Sequence, residues 1–146
     1  MTIAEACRRV DRAINGIENE IINDIIPAVE SDIVNMQTMR LFEGKNADGT
    51  DITPEYSFQT LDYKLRHNQP TDRVTLKDTG AFYSQIFAKA YDSEEILIDS
   101  NDDKSDDLKE KYGESIFGLT KENKSEIKEE TTTLLVDYLK EITGFE

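Results

Sequence analysis

Residues 74–100 read VTLKDTGAFYSQIFAKAYDSEEILIDS, and how this stretch folds decides the class of the chain. Glu95-Ile96-Leu97-Ile98-Asp99 is too short for a stable helix and rich in β-branched and aliphatic residues, so it reads as a strand. Phe82 to Tyr91 fits two periods: alternation, with Phe82, Ile86, Ala88 and Ala90 on one face, or a helical turn pairing Phe82 with Ile86 and Tyr83 with Phe87. With Asp92-Ser93 as the turn, the expectation is a β-hairpin over 82–99. Before it, Lys77-Asp78-Thr79-Gly80 interrupts what would otherwise be a smooth strand. Gly80 can take a backbone angle closed to other residues, and Thr79 or Asp78 can cap the N–H groups that a bend leaves free. The interruption therefore reads as a corner between a polar loop and the hairpin, with a geometric role and no catalytic one.

Outward from this β part (74–100), the chain is helical. Val10, Ile14, Ile17, Ile21, Ile25, Val29, Ile33 and Met36 recur at steps of three and four, which predicts long helices over 1–43, with a kink or break near Ile26 because Pro27 removes a hydrogen bond and crowds the preceding turn. Their apolar stripe is expected to be core, or else a seam against a second copy. Gly44, Asn46 and Asp48-Gly49 form a turn. Thr53-Pro54-Glu55 predicts the start of a short central helix running to Arg66, with Arg66 and His67 in the last turn, where positive charge is favoured. A further short helix is expected over Ser105 to Tyr112, stopped by Gly113. A closing helix over 120–143 is expected to bury Ile127, Leu134, Leu135, Tyr138 and Ile142. The fold class is α+β, and 146 residues fit one structural domain, 1–146.

Composition narrows the function. Thirty-one acids against 17 basic residues give a net charge of −14, a field that repels phosphate and anionic lipid and is compatible with a basic partner, a divalent cation or a channel wall along which DNA slides. Cys7 is the only cysteine and His67 the only histidine, so an intrachain disulfide and a multi-cysteine zinc site are excluded, and most histidine-metal clusters with them. No apolar run is long enough to span a bilayer, and MTIAEACRRVDRA lacks the apolar stretch of a signal peptide, so no membrane partner is expected.

Asp99, Asn101, Asp103 and Glu110 occupy positions 1, 3, 5 and 12 of a calcium-loop spacing. Lys104, however, stands where that loop needs glycine, Asp106 stands where an apolar residue packs, and a strand enters it. These residues are a weak cation candidate, and an acidic, solvated turn is the simpler expectation. Neither GxGxxG nor GxxxxGK[ST] occurs, and Ser84 and Ser115 lack a nucleophile-elbow motif. No catalysis and no cofactor are expected.

The order of local motifs carries a resemblance. Leu41-Phe42-Glu43-Gly44, Pro54-x-Tyr56-Ser57, Val74-Thr75-Leu76-Lys77-Asp78-Thr79-Gly80, Tyr112-Gly113 and Ile116-Phe117-Gly118-Leu119-Thr120 together resemble the virion morphogenesis, or tail-completion, proteins of tailed bacteriophages. The likeness runs from about residue 30 to 142 and extends to small structural proteins of gut Bacteroides phages, crAss-like ones included. Two positions depart from the pattern: Phe82 stands where the family more often has Leu, and Asp102 to Asp107 is unusually acidic. The resemblance implies a non-enzymatic virion subunit of the portal, neck or head–tail junction, assembled in the host bacterial cytoplasm into a homo-oligomeric ring. Its other partners would be portal, neck or tail proteins, with packaged DNA meeting an acidic channel only transiently. Contacts between subunits are then expected at the 72–82 loop, the hairpin and the Gly44 to Thr53 turn. The candidates are Phe42, Asp48, Gly49 and Tyr56, then Thr79, Gly80, Phe82 and Tyr83, and finally Tyr112 and Phe117. The alternative is an acidic cytoplasmic adaptor or DNA mimic that binds a basic host protein through Asp102, Asp103, Asp106 and Asp107.

Overall fold

Thr2 opens the first helix with a reciprocal cap: its hydroxyl accepts from the Glu5 N–H at 3.2 Å, while the Glu5 carboxylate accepts from the Thr2 N–H at 2.7 Å. The computed structural model of the chain describes residues 1–90 and 95–145. Helix α1 (Ile3–Glu20) runs through one π-helical turn (Ile21–Ile25) into α2 (Ile26–Phe42), so Pro27 does not break the helix as its chemistry predicts. The Ile26 N–H bonds the Ile21 carbonyl, five residues back. The wider turn gives the proline ring room beside the carbonyl that a regular α-turn would press against it.

The stripe divides at this joint. Ile25, Val29 and Ile33 are core, whereas Ile14 is 62% exposed and Val10 also faces outward, which corrects the expectation of one buried stripe. α1 turns a neighbouring face, with buried Ala13, toward the C-terminal helix α6 (Lys121–Thr143). The Arg9 guanidinium donates to the Thr143 carbonyl at 3.1 Å, and Gly16 lies under the Tyr138 hydroxyl, so the two helices run antiparallel. Thr120 caps α6 by accepting from the Asn123 N–H at 3.1 Å. Of its expected core residues Ile127 is buried, and Leu134, Leu135, Tyr138 and Ile142 are half-buried.

The short central helix α3 (Phe58–Arg66) begins four residues later than Thr53-Pro54 suggests, because Ser57 supplies the cap and accepts from the Thr60 N–H. A further correction falls at Ala81–Ser84, which is a single helical turn, α4, and not strand. The hairpin therefore starts at β1 (Ile86–Ala90), which pairs antiparallel with β2 (Ile96–Ser100), Ile86 opposite Ser100 and Ala88 opposite Ile98. The expected Asp92-Ser93 turn lies outside the described residues. Helix α5 (Ser105–Tyr112) ends at Gly113, as expected, and a 3₁₀ turn (Glu114–Ile116) follows.

The sheet lies on α2 between two apolar clusters. One gathers Leu41, Ile52, Val74, Leu76, Phe82, Ile86, Tyr112 and Ile116; the other gathers Ile25, Val29, Ile33, Ala88 and Ile127; Val34 and Ile98 touch both. A buried polar strap ties them. Gln37 donates to the Ile116 carbonyl at 2.6 Å and accepts from the Gly118 N–H at 3.1 Å. Arg40 donates to the carbonyls of Lys45, Ile116 and Gly118 at 3.0–3.1 Å. Two residues of α2 thus fix the Ile116-Phe117-Gly118 segment, which has no ladder partner of its own.

Candidate functional site

The 74–80 segment is held from outside. Tyr56 Oη accepts from the N–H groups of both Thr75 (3.1 Å) and Leu76 (2.9 Å), and Tyr83 Oη donates to the Thr75 carbonyl at 2.6 Å. Burial pushes the Tyr83 phenol up, so it stays a hydrogen donor. Between these anchors Leu76 sits buried at φ 55°, a left-handed angle that a branched side chain seldom takes. Gly80 follows at φ 93°, and the Thr79 hydroxyl accepts from the Ala81 N–H at 3.3 Å. The predicted corner is present, and its cap is Thr79. Its product is the one-turn helix α4, which explains why the hairpin starts late.

The corner closes one side of a cavity of about 230 Å³. Tyr56, Thr79, Gly80, Phe82 and Tyr112 line it, joined by Tyr63, Lys64, Leu76 and Leu108, with Lys77, Asp102 and Lys104 also contributing. Lys64 is only 4% exposed. Its ammonium donates to the Lys77 carbonyl at 2.7 Å and the Gln69 side chain at 3.0 Å, and stands 4.8 Å from the centre of the Tyr56 ring. This buried charge braces α3 against the corner. At the rim, Asp78 accepts from Gln69 (3.0 Å) and from the Tyr63 hydroxyl (3.2 Å). The Gln69 bond, with the Tyr63 bond and nearby positive charge, holds the Asp78 carboxyl below the usual range, and the bond to Asp78 pushes the Tyr63 phenol up. These shifts run opposite to those of a raised general acid or a phenolate nucleophile.

The other candidates do not line the cavity. Phe82 meets Phe117 in a tilted ring pair, centroids 6.0 Å apart, which makes Phe117 a support. Phe42 is exposed on α2, with Arg73 and Lys77 over its ring at 5.1 and 5.4 Å. Asp48 and Gly49 lie in the turn where Lys45 pairs with Asp51. A second cavity, about 290 Å³, opens beside Gly44, Ile52, Leu61 and Arg73, and Tyr56 lines both.

The calcium-spaced residues do not converge. Burial works to raise the Asp99 carboxyl, but the Ser100 N–H, the Lys109 ammonium at 3.1 Å and the Ser105 hydroxyl at 2.9 Å hold it below its ordinary range. Lys109 thus fills the place of a cation, while Asp103 and Glu110 point to solvent. Among the described residues no three Asp, Glu, His or Cys side chains are grouped to hold a metal. His67 stacks on Tyr63 at 4.0 Å and caps α3, the structural role its position suggests. Sequence reasoning missed Lys64, Gln37 and Arg40. For the last two the signal was present, since Gln37 and Arg40 fall at helical steps from Ile33 on the face that continues to Leu41.

No family model matches the chain, and neither does any curated protein or solved structure. Among the described residues, no helix is long and apolar enough to cross a membrane.

Proposed function

We propose that the chain is a structural subunit of a tailed-bacteriophage virion, placed at the portal, neck or head–tail junction as a ring or tail-completion subunit, and that it acts in head closure and tail attachment without catalysis. The observation that carries this reading is the convergence of Tyr56, Thr79, Gly80, Phe82 and Tyr112 on one aromatic-lined cavity braced by Lys64. At about 230 Å³ it falls below the roughly 300–1,000 Å³ of small-molecule sites, and it suits one or two inserted side chains of a neighbouring protein. Exposed Phe42 and Met39, the latter 66% exposed, offer an apolar anchor on the adjacent surface of α2. Leu76 at a left-handed angle in the cavity lining adds to the case, since non-glycine backbone held in sparsely populated regions clusters at functional sites. The net charge of −14 gives such a ring a lining that packaged DNA would not grip.

Antibody labelling of virions, viewed by negative stain, tests the reading. Label at the head–tail junction is the expected result. Unlabelled virions, together with salt-sensitive binding to a basic soluble protein that is lost on charge reversal at Asp103 and Asp107, would replace it with the acidic-adaptor reading.

A further inference from the structure

The apolar stripe of α1 outruns the cover the subunit gives it. Ile3, Cys7, Val10, Ile14, Ile17 and Ile21 follow at alternating steps of four and three, a heptad spacing. Yet Ile3 is 85% exposed, and Cys7, Val10 and Ile14 also face outward, while α6 packs on the neighbouring face around Ala13 and Gly16. Because α1 and α6 run antiparallel, helical geometry brings exposed Val136 and Leu139 of α6 to the same side of the pair as Ile3, Val10 and Ile14.

We propose that this two-helix arm is a self-association surface. A second copy lays its own α1–α6 pair against it about a two-fold axis parallel to the helices, closing four helices around one apolar seam with α1 of each copy against α6 of the other. The arm is small. Because Thr143, the last residue of α6, lies level with Arg9, the two helices run side by side for about 18 Å and α1 continues alone for about 9 Å, so at about 10 Å per helix each copy offers roughly 450 Å² and the two together bury roughly 900 Å², the size of a weak, micromolar interface.

Charge selects the arrangement. Asp11 and Glu18 border the stripe on α1 and Lys140 borders Val136 and Leu139 on α6, and none of the three is ion-paired among the described residues. An axis parallel to the helices preserves height along them. The contacts of Arg9 with Thr143 and of Gly16 with Tyr138 then set Lys140 of the second copy level with Asp11. Stacking α1 on α1 would set acids against acids. The N-terminal 20 residues also carry three arginines, Arg8, Arg9 and Arg12, against four acids, Glu5, Asp11, Glu18 and Glu20. This end of a chain at −14 therefore approaches its copy with little net repulsion.

The inference does not rest on the neck reading. An arm dimer stands if virions carry no label, and junction labelling stands if the arm is monomeric. Sedimentation equilibrium of the full chain is expected to give a dimer with a micromolar dissociation constant. Ile14→Glu is expected to weaken it about ten-fold or more with unchanged helical circular dichroism, since Ile14 is solvent-facing in the subunit. Asp11→Lys and Lys140→Asp should each weaken it, and the two together should restore it. A wild-type chain that stays monomeric at about 100 µM, an Ile14→Glu variant that dimerises as before, or a double swap without rescue would each overturn the proposal.

Discussion

Gly80 shows how one backbone angle can organise a site. Added atoms would meet little there, the nearest neighbour of a Cβ being Lys77 Cε at 4.0 Å, so the constraint is φ 93° itself. Gly80→Val is expected to cost about 1–3 kcal/mol and Gly80→Asn less, since Asn tolerates the left-handed region. Urea denaturation reads both, and a Val variant as stable as wild type would deny the corner. Tyr56 is the second test. Tyr56→Phe leaves the N–H groups of Thr75 and Leu76 without their acceptor and should cost about 1–3 kcal/mol, whereas exposed Tyr63→Phe should stay within about 0.5 kcal/mol. Gln37→Leu, which strands the Gly118 N–H and leaves the Ile116 carbonyl to Arg40 alone, belongs with Tyr56 and not with Tyr63. These partners stand 19 to 81 residues from one another, which is why periodicity found the corner but not what holds it.

At the scale of elements, α2 and α6 meet with like charges. Glu130 of α6 is pushed up by its hydrogen bond to Asp32 of α2, with burial and the Asp32 charge adding to the effect. A carboxyl raised in the folded state takes its proton there first as pH falls. Stability therefore rises as pH drops from above the folded value toward the unfolded value near about 4.3, and falls again on the way up. Glu130→Gln is accordingly expected to raise Tm at pH 7, with an advantage that shrinks toward about pH 4; an equal gain at both values would contradict the pairing. Asp99 works the other way. Its depressed carboxyl contributes above the unfolded value near about 3.9, and that contribution is lost as pH falls through the folded one. Elements were legible where a local signal was enough: the N-terminal helices, α5 with its Gly113 stop, and α6 with its Thr120 cap. They were misplaced where two local signals competed. Ser57 outbid Thr53 as the cap of α3, and Phe82, consistent with either period, went to a helical turn because Gly80 had already bent the chain.

For the whole molecule the dominant quantity is charge. Thirty-one acids against 17 bases leave a large excess of like charge in the compact state, and exposed ion pairs such as Lys45–Asp51 and Arg66–Asp62 offset little of that. Raising salt from about 10 to 150 mM shortens the screening length from about 30 to 8 Å and is expected to raise Tm; a fall would mean that the few attractive pairs outweigh the repulsion. The turn at Ile21–Ile25 also bears on how the sequence can vary in length. From Ile21 the apolar positions advance by four, to Ile25, Val29 and Ile33, a longer step than an α-helix keeps in phase, and the wide turn absorbs part of the surplus. The helix there works as a counter that holds one residue in reserve. Deleting Asn23 would leave the backbone free to run as a plain α-helix with its two ends still in phase, and the cost would fall on Pro27, whose ring would again crowd the preceding turn. The chain should therefore accept substitutions at this joint far more readily than a change in its length.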